Sequence, residues 1–309
     1  MQKIVPHLWY DKEAKEAALL YISLFEQSKL VFTKTIKNPP PFSDSEIVSF
    51  ELEGQEFIAI SAGPYYKLNS TISLMVACYT SEELDKIWEA LSEGGTELMP
   101  LGEYPFCKRY AWVQDRFGLS WQLMLVEGEQ KVQKIKTNLL FSDGVCGKAE
   151  EAIKYYAEVF INSEIEMISR YKEGEAVSSK AKVNYAAFKL DGFAFSGMDN
   201  GYDVDFTFNE AFSFIINCKD QTEIDYFWEK LSAVPEAENC GWCKDKFGVS
   251  WQVLPSNWDE ILFDGSEDQV RRVNEAVLNM KKFDLEVLRK VKLGIKVTND
   301  CKNGKIDGY

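Results

Sequence analysis

Histidine is nearly absent from this chain: His7 is the single imidazole in 309 residues. One imidazole cannot furnish a metal centre built on several histidines, and no nucleophile elbow accompanies it to suggest a Ser–His–acid set. Basic side chains are outnumbered, with 35 Lys and Arg against 49 Asp and Glu and a formal net charge of −14. Phosphate-backbone binding draws on clustered Lys and Arg, so nucleic acid is not an expected partner. The acidic balance suits solubility and would attract a cationic small molecule. Long apolar runs are missing too. No window approaches the ~20 residues that a membrane span needs, and no membrane partner is expected. The start, "MQKIVPHLWYDKEAKEA", lacks a basic stretch followed by an apolar run, which leads to the expectation of a cytoplasmic protein. Seven cysteines, an odd number, fit free buried thiols better than a disulfide framework.

Apolar residues make up 46% and aromatics 14%, ample for packed cores, and the length suggests roughly two domains of about 150 residues. A repeat agrees with that count. "DRFGLSWQLML" (115–125) returns as "DKFGVSWQVLP" (245–255), keeping Asp, Phe, Gly, Ser, Trp and Gln. "AKEAALLYISLF" (14–25) returns as "AEEAIKYYAEVF" (149–160), each an amphipathic helix by spacing. "FELEG" (50–54) pairs with "FKLDG" (188–192), an alternating strand running into a tight turn. "SLMVACYTSEELDKIWEAL" (73–91) pairs with "SFIINCKDQTEIDYFWEKL" (213–231), a short apolar strand leading into a second helix. Thr80 with Glu83, and Asp220 with Glu223, have capping-box spacing.

The pattern reads as a doubled β-α-β-β-β unit in each half, four modules in all. Short helices and alternating strands favour α+β, with mostly antiparallel sheets and helices on one face. The expected domains are 1–127 and 137–256, joined by a charged linker at 128–136. A helical extension at 257–292, broken near Lys282, and a loose polar tail at 293–309 complete the chain. The halves differ by about ten extra residues in "GGTELMPLGEYPF" (94–106) and about four in "GVCG" (144–147).

"PHLWYDKEAKEAALLYISLF", the helix ending in "EALSEGG", the closing "DRFGLSWQLM" and the late "VNEAVLNMKKFDLEVL" together resemble the PhnB-like branch of the vicinal oxygen chelate superfamily. That superfamily includes glyoxalase I, extradiol dioxygenases, fosfomycin-resistance enzymes and bleomycin-binding proteins. The resemblance covers nearly the whole chain as two tandem domains. It implies cup-shaped, curved, mostly antiparallel sheets with helices outside, and single-domain relatives that dimerise. A tandem chain would then be an intrachain pseudo-dimer, with a homodimer also open. Some members carry a demethylubiquinone methyltransferase label, but no glycine-rich loop after a first strand offers a cradle for a nucleoside cofactor.

In active members a divalent metal is held by His, Glu or Gln from several strands. By that resemblance the last-strand ligand falls on Gln122 and Gln252, and the first-strand ligand near His7 in one half and near Asn138 in the other. A slip of one residue would turn either side chain to the opposite face. The strands at "NSTISLMVAC" and "NEAFSFIINC" offer no inward His or Glu, Glu210 being the nearest. A neutral amide without charged companions is a poor metal ligand, so no cofactor is preferred. Were a divalent metal bound, His7 and Gln122 would hold it. Trp9, Trp112 and Trp242 are further candidates for lining a pocket; Trp121 lies on the opposite strand face from Gln122. "CGWC" (240–243) is a lone CxxC ahead of a hairpin, without the helix N-terminus of a redox pair or the second pair of a zinc site.

The expectation is a protein that binds a small molecule in a cup-shaped pocket without a catalytic metal. Two alternatives stand beside it: a metal-dependent lyase, isomerase or transferase of the glyoxalase type, and sequestration of a cationic antibiotic of the bleomycin type.

Overall fold

The computed structural model describes residues 1–37, 43–128 and 133–296. Residues 129–132 of the linker and 297–309 of the tail lie outside them. No helix among the described residues is long and apolar enough to cross a membrane.

The modules follow one another along the chain. The first is β1 (Ile4–Tyr10), α1 (Ala14–Leu24), β2 (Lys29–Ile36), β3 (Ser45–Leu52) and β4 (Gln55–Ser61). The second is β5 (Ile72–Cys78), α2 (Ser81–Ser92), β6 (Thr96–Tyr104), β7 (Cys107–Gln114) and β8 (Ser120–Leu125). The third is β9 (Ile135–Phe141), α3 (Ala149–Val159), β10 (Glu164–Arg170), β11 (Val183–Leu190) and β12 (Phe193–Asp199). The fourth is β13 (Phe212–Cys218), α4 (Gln221–Leu231), β14 (Trp242–Lys244) and β15 (Ser250–Pro255). It is one strand short of the four full units expected. The longer segment that builds β6 in the first half is replaced by a single 3-10 turn at Pro235–Ala237.

Among the described residues fifteen strands form two sheets of seven and eight, the α+β class expected from sequence. The described chain divides into two compact units, one of residues 6–36, 45–128 and 133–212, the other of residues 1–5, 37, 43–44 and 213–296. In the larger unit, β1, β4, β3 and β2 lie side by side. The eight-stranded sheet there has the order β10-β11-β12-β9-β5-β8-β7-β6. Its pairs are antiparallel except β12 with β9 and β5 with β8. This sheet joins module two to module three, one from each half, across the antiparallel seam of β5 and β9, where Ser73 faces Asn138. The halves therefore do not each close on themselves.

Local chemistry explains the elements. Helix α1 buries Ala14, Ala17, Ala18 and Tyr21, and α3 buries Ala149, Ala152, Ile153, Tyr156 and Val159, the spacing of one helical face. Thr80 Oγ1 accepts from Glu83 N (3.1 Å) and Asp220 Oδ1 from Glu223 N (2.9 Å), so both helix caps form. Each glutamate reaches one residue beyond a capping box, accepting from Tyr79 N and Lys219 N. The hairpin turns carry positive φ at Glu53 and Gly54 (50° and 75°) and at Asp191 and Gly192 (48° and 82°), the hand that matches strand twist.

The smaller unit places β15 between β14 and β13 and adds α5 (Trp258–Phe263), α6 (Glu267–Leu278) and α7 (Leu285–Lys292). The chain between α6 and α7 bonds back to the β14 hairpin: Cys240 N donates to Met280 O and Gly241 N to Lys281 O, each 2.7 Å. Gly241 sits at φ +81°, and a Cβ there would lie 2.5 Å from the Phe283 ring.

Candidate functional site

The repeated segment at 115–125 and 245–255 is a structural clamp. Asp115 Oδ1 accepts from Phe117 N (2.8 Å) and Leu119 N (3.1 Å), closing the turn around Gly118. Its Oδ2 accepts from Trp121 Nε1 and from Tyr21 Oη, each at 2.8 Å. Asp245 does the same for Phe247 N, Val249 N and Trp251 Nε1 at 2.8, 3.1 and 2.8 Å. Burial raises the Asp115 carboxyl above its ordinary value in spite of these four donors. Trp121 is wholly buried against Tyr21 (5.0 Å) and Phe25 (6.1 Å), so it belongs to the core.

The other side of β8 carries the polar residues. Strand alternation sends Ser120, Gln122 and Met124 to the face opposite Trp121 and Leu123. Gln122 sits opposite Trp112 on β7 and Met75 on β5. Its Nε2 donates to Ser73 Oγ (2.8 Å) and its Oε1 accepts from Tyr110 Oη (2.8 Å). Asn138 Nδ2 points to the same Ser73 Oγ at 3.5 Å. Ser196 Oγ donates to Asn138 Oδ1 at 3.0 Å and lies 3.0 Å from Met75 Sδ. The result is a neutral chain, Tyr110–Gln122–Ser73–Asn138–Ser196, crossing five strands within one face. Burial pushes the Tyr110 phenol up, which keeps it protonated and donating. Trp112 is half-buried on that face, its indole held by Ser120 Oγ (2.7 Å).

Beside this chain, on the same face, lies a cleft of about 430 Å³. Met75, Ala77, Met124, Ala187 and Ala194 give it an apolar floor, and Lys134, Lys136, Lys189 and Glu166 stand at its walls. Apolar lining with a few placed polar groups is the usual make-up of a small-molecule pocket.

The structure brings Gln122 and Asn138 together, not Gln122 and His7. His7 stands on β1 opposite Ile58 of β4, in a different sheet from Gln122. It is buried, and burial lowers its pKa to about 3, so the imidazole is neutral near pH 7. Trp9, on the same face of β1 by alternation, donates from Nε1 to Gly63 O (2.8 Å) and meets Tyr66 edge-on at 5.2 Å. Burial, with the negative charge of Glu210 nearby as a smaller cause, raises the Tyr66 phenol of that cluster. In the smaller unit, Gln252 Nε2 donates to Ser213 Oγ at 3.0 Å, the counterpart of Gln122 and Ser73. Trp242 lies opposite Gln252.

A divalent metal fits these residues poorly. Among the described residues no three His, Cys, Asp or Glu side chains come together. The amide oxygen of Gln122, its only useful ligand atom, already accepts a hydrogen bond. The CxxC thiols do not favour redox chemistry either: burial pushes Cys240 up to about 11 and raises Cys243 as well.

Sequence reasoning missed Ser73, Tyr110, Ser196, Met75 and the clamp aspartates. Ser73 and Ser213 head equivalent strands in "SLMVAC" and "SFIINC", a repeated polar residue in an apolar strand that was a readable signal. Asp115 and Asp245 were visible in the repeat itself, and a buried carboxylate so close to a turn has few roles besides bonding its amides.

Two tandem glyoxalase-like halves with open curved sheets define a member of the vicinal oxygen chelate superfamily. Glyoxalase I of Zea mays aligns with 83% of this chain and 94% of its own, at a TM-score of 0.53 and 12% identity, a likeness of fold. The model of the family described as 3-demethylubiquinone-9 3-methyltransferase matches residues 2–124 and again 133–254, and the chain belongs to that family, the PhnB-like branch, as two tandem copies. A PhnB protein of Bacillus cereus is 38% identical over 40% of this chain and 100% of its own, with a TM-score of 0.38. A Staphylococcus aureus protein is 34% identical over 41% of this chain and 98% of its own, with a TM-score of 0.18. No curated protein matches the chain. The family description names a methyltransferase, which is the family's label.

Proposed function

We propose that the chain binds a small molecule in the cleft on the inner face of the eight-stranded sheet, without a catalytic metal. The observation that carries this is the committed state of Gln122. Both ends of its amide are used within the protein, by Tyr110 and Ser73, so it acts as a fixed polar wall and not as a vacant ligand. The apolar floor beside it supplies the burial that drives binding of an apolar body. Because the seam of β5 and β9 joins the two family copies, the tandem chain works as an intrachain pseudo-dimer in this unit.

The test uses the neutral dye N-phenyl-1-naphthylamine, whose fluorescence rises in apolar pockets, with the full untagged chain. Saturable binding is expected, and Ala187→Trp, which fills the cleft, should abolish it while leaving the thermal transition in place. Unchanged dye binding in Ala187→Trp would overturn the assignment of the cleft. Elemental analysis should find no stoichiometric divalent metal. One equivalent that disappears in His7→Ala would replace this reading with a metal-dependent one.

A further inference from the structure

The two repeats differ most usefully at Lys136 of the cleft wall and at Tyr185, which accepts its hydrogen bond. Lys136 aligns with Val5 and Tyr185 with Ile47, because "KIVPH" (3–7) pairs with "KIKTN" (134–138) and "IVSFELEG" (47–54) with "YAAFKLDG" (185–192). A fold that needed a lysine and a tyrosine at these positions would have them in both copies. In the first copy both positions are aliphatic, so the polar pair answers a requirement specific to the second.

The other cations of the cleft are neutralised. Lys134 Nζ lies 2.5 Å from Glu83 and 3.5 Å from Glu53, and Lys189 Nζ lies 2.6 Å from Glu166. Lys134 has a plain structural role, since Lys3 makes the same bridge to Glu223 at 2.7 Å in the smaller unit. Lys136 is different. Among the described residues no carboxylate lies within ion-pair distance of it; its Nζ donates to Tyr185 Oη at 2.6 Å and rests 5.2 Å from that ring's centre. A phenol that accepts from an ammonium keeps its own proton free to donate. The pair therefore presents donors and positive charge, and no acceptor, at the edge of an apolar cleft.

We infer that the ligand is an organic anion, with its apolar body on the Met75–Met124–Ala187 floor and its charged group at Lys136 and Tyr185. This rests on the cleft being the binding site, and it names the class of ligand that site takes. It runs against the chain's overall charge of −14: selection follows the local charge in a low-dielectric cleft, which a distant acidic surface weakens but does not reverse. A charge-assisted bond from Lys136 and a second donor from Tyr185 discriminate against a cation by repulsion as well as favouring an anion by attraction.

The experiment displaces the dye from the full chain with three probes of equal chain length: decanoate, decanol and decyltrimethylammonium. Decanoate is expected to compete at least tenfold better than decanol, and the cation less well than either. Raising salt should erode the decanoate advantage and leave decanol unchanged. Lys136→Met should remove the preference for decanoate without moving decanol, and Lys136→Val, which copies Val5 of the other repeat, should do the same. Tyr185→Phe should reduce the preference severalfold. Equal competition by decanoate and decanol, or a preference that survives both Lys136 variants, overturns the inference while the cleft stands. Dye that binds but yields to none of the probes overturns it too. Absence of dye binding brings down the cleft assignment itself.

Discussion

Asp115 and Trp121 are six residues apart and joined by a 2.8 Å bond from indole to carboxylate, and Asp245 and Trp251 repeat that bond at the same length. The carboxylate closes the β-turn with one oxygen and fixes a core indole with the other. Turn and core are thereby tied to a single side chain. Asp115→Ala leaves the Trp121 indole, the Tyr21 hydroxyl and two amides without their acceptor, each worth about 1–3 kcal/mol when buried. A loss of roughly 3 kcal/mol or more is expected in guanidinium denaturation. Tyr21→Phe removes one of those bonds together with the 3.1 Å bond between the Tyr21 and Tyr10 hydroxyls, and should cost about 1–3 kcal/mol. A loss below 1 kcal/mol for Asp115→Ala would show that water or a rearranged turn takes over the carboxylate's bonds.

Gln122→Glu tests the neutrality of the buried chain. The new carboxyl would be buried between the neutral Tyr110 and Ser73 side chains, so burial would raise its pKa in the folded protein. A raised folded pKa means that the stability of the variant is greatest below the unfolded carboxyl value and falls as pH rises through the folded one. The deficit relative to the parent should therefore be small near pH 4 and larger near pH 8. Thermal unfolding at those two pH values reads the difference. An equal deficit at both would mean that solvent reaches the site.

Much of this was legible in the sequence, for identifiable reasons. Helix faces and hairpin turns follow from periodicity and from Glu53-Gly54 and Asp191-Gly192, because those signals are local. The face of Gln122 was also readable, since alternation separates it from Trp121 without reference to the rest of the fold. The partner of Gln122 was not readable. A strand's neighbours are set by which modules share a sheet, and the repeat is equally consistent with the first half closing on itself or opening onto the second. The bond at Ser73 and the facing Asn138 decide it, and they are long-range. Lys136 was hidden for a different reason: a single lysine in a strand reads as a solvated residue until its surroundings lack a carboxylate.

Cys240 and Cys243 are expected to be inert. With its thiol pushed up to about 11 by burial, Cys240 would be thiolate in roughly one molecule in a thousand at pH 8, and only the thiolate reacts. Iodoacetamide labelling at pH 8 should modify this thiol far more slowly than free cysteine, and Cys240→Ser should leave dye binding unchanged. Fast labelling would indicate that the hairpin at Cys240–Gly241 opens away from Met280 and Lys281.

His7 carries the clearest pH signature. Its pKa falls from 6.5 to about 3 on folding because burial disfavours the imidazolium. Below about pH 6.5 the unfolded chain therefore binds a proton that the folded chain refuses, and stability falls as pH drops through the window from 6.5 toward 3. The slope from this group approaches about 1.4 kcal/mol per pH unit. His7→Asn, which copies Asn138 of the other repeat, removes the titrating group. Its stability should decline less steeply than the parent's between pH 6.5 and 4.5 in denaturant titrations, with the two curves differing by a near-constant offset above pH 7. Parallel curves throughout would mean that the imidazole is protonated or solvated in the folded protein, and the buried neutral His7 would have to be abandoned.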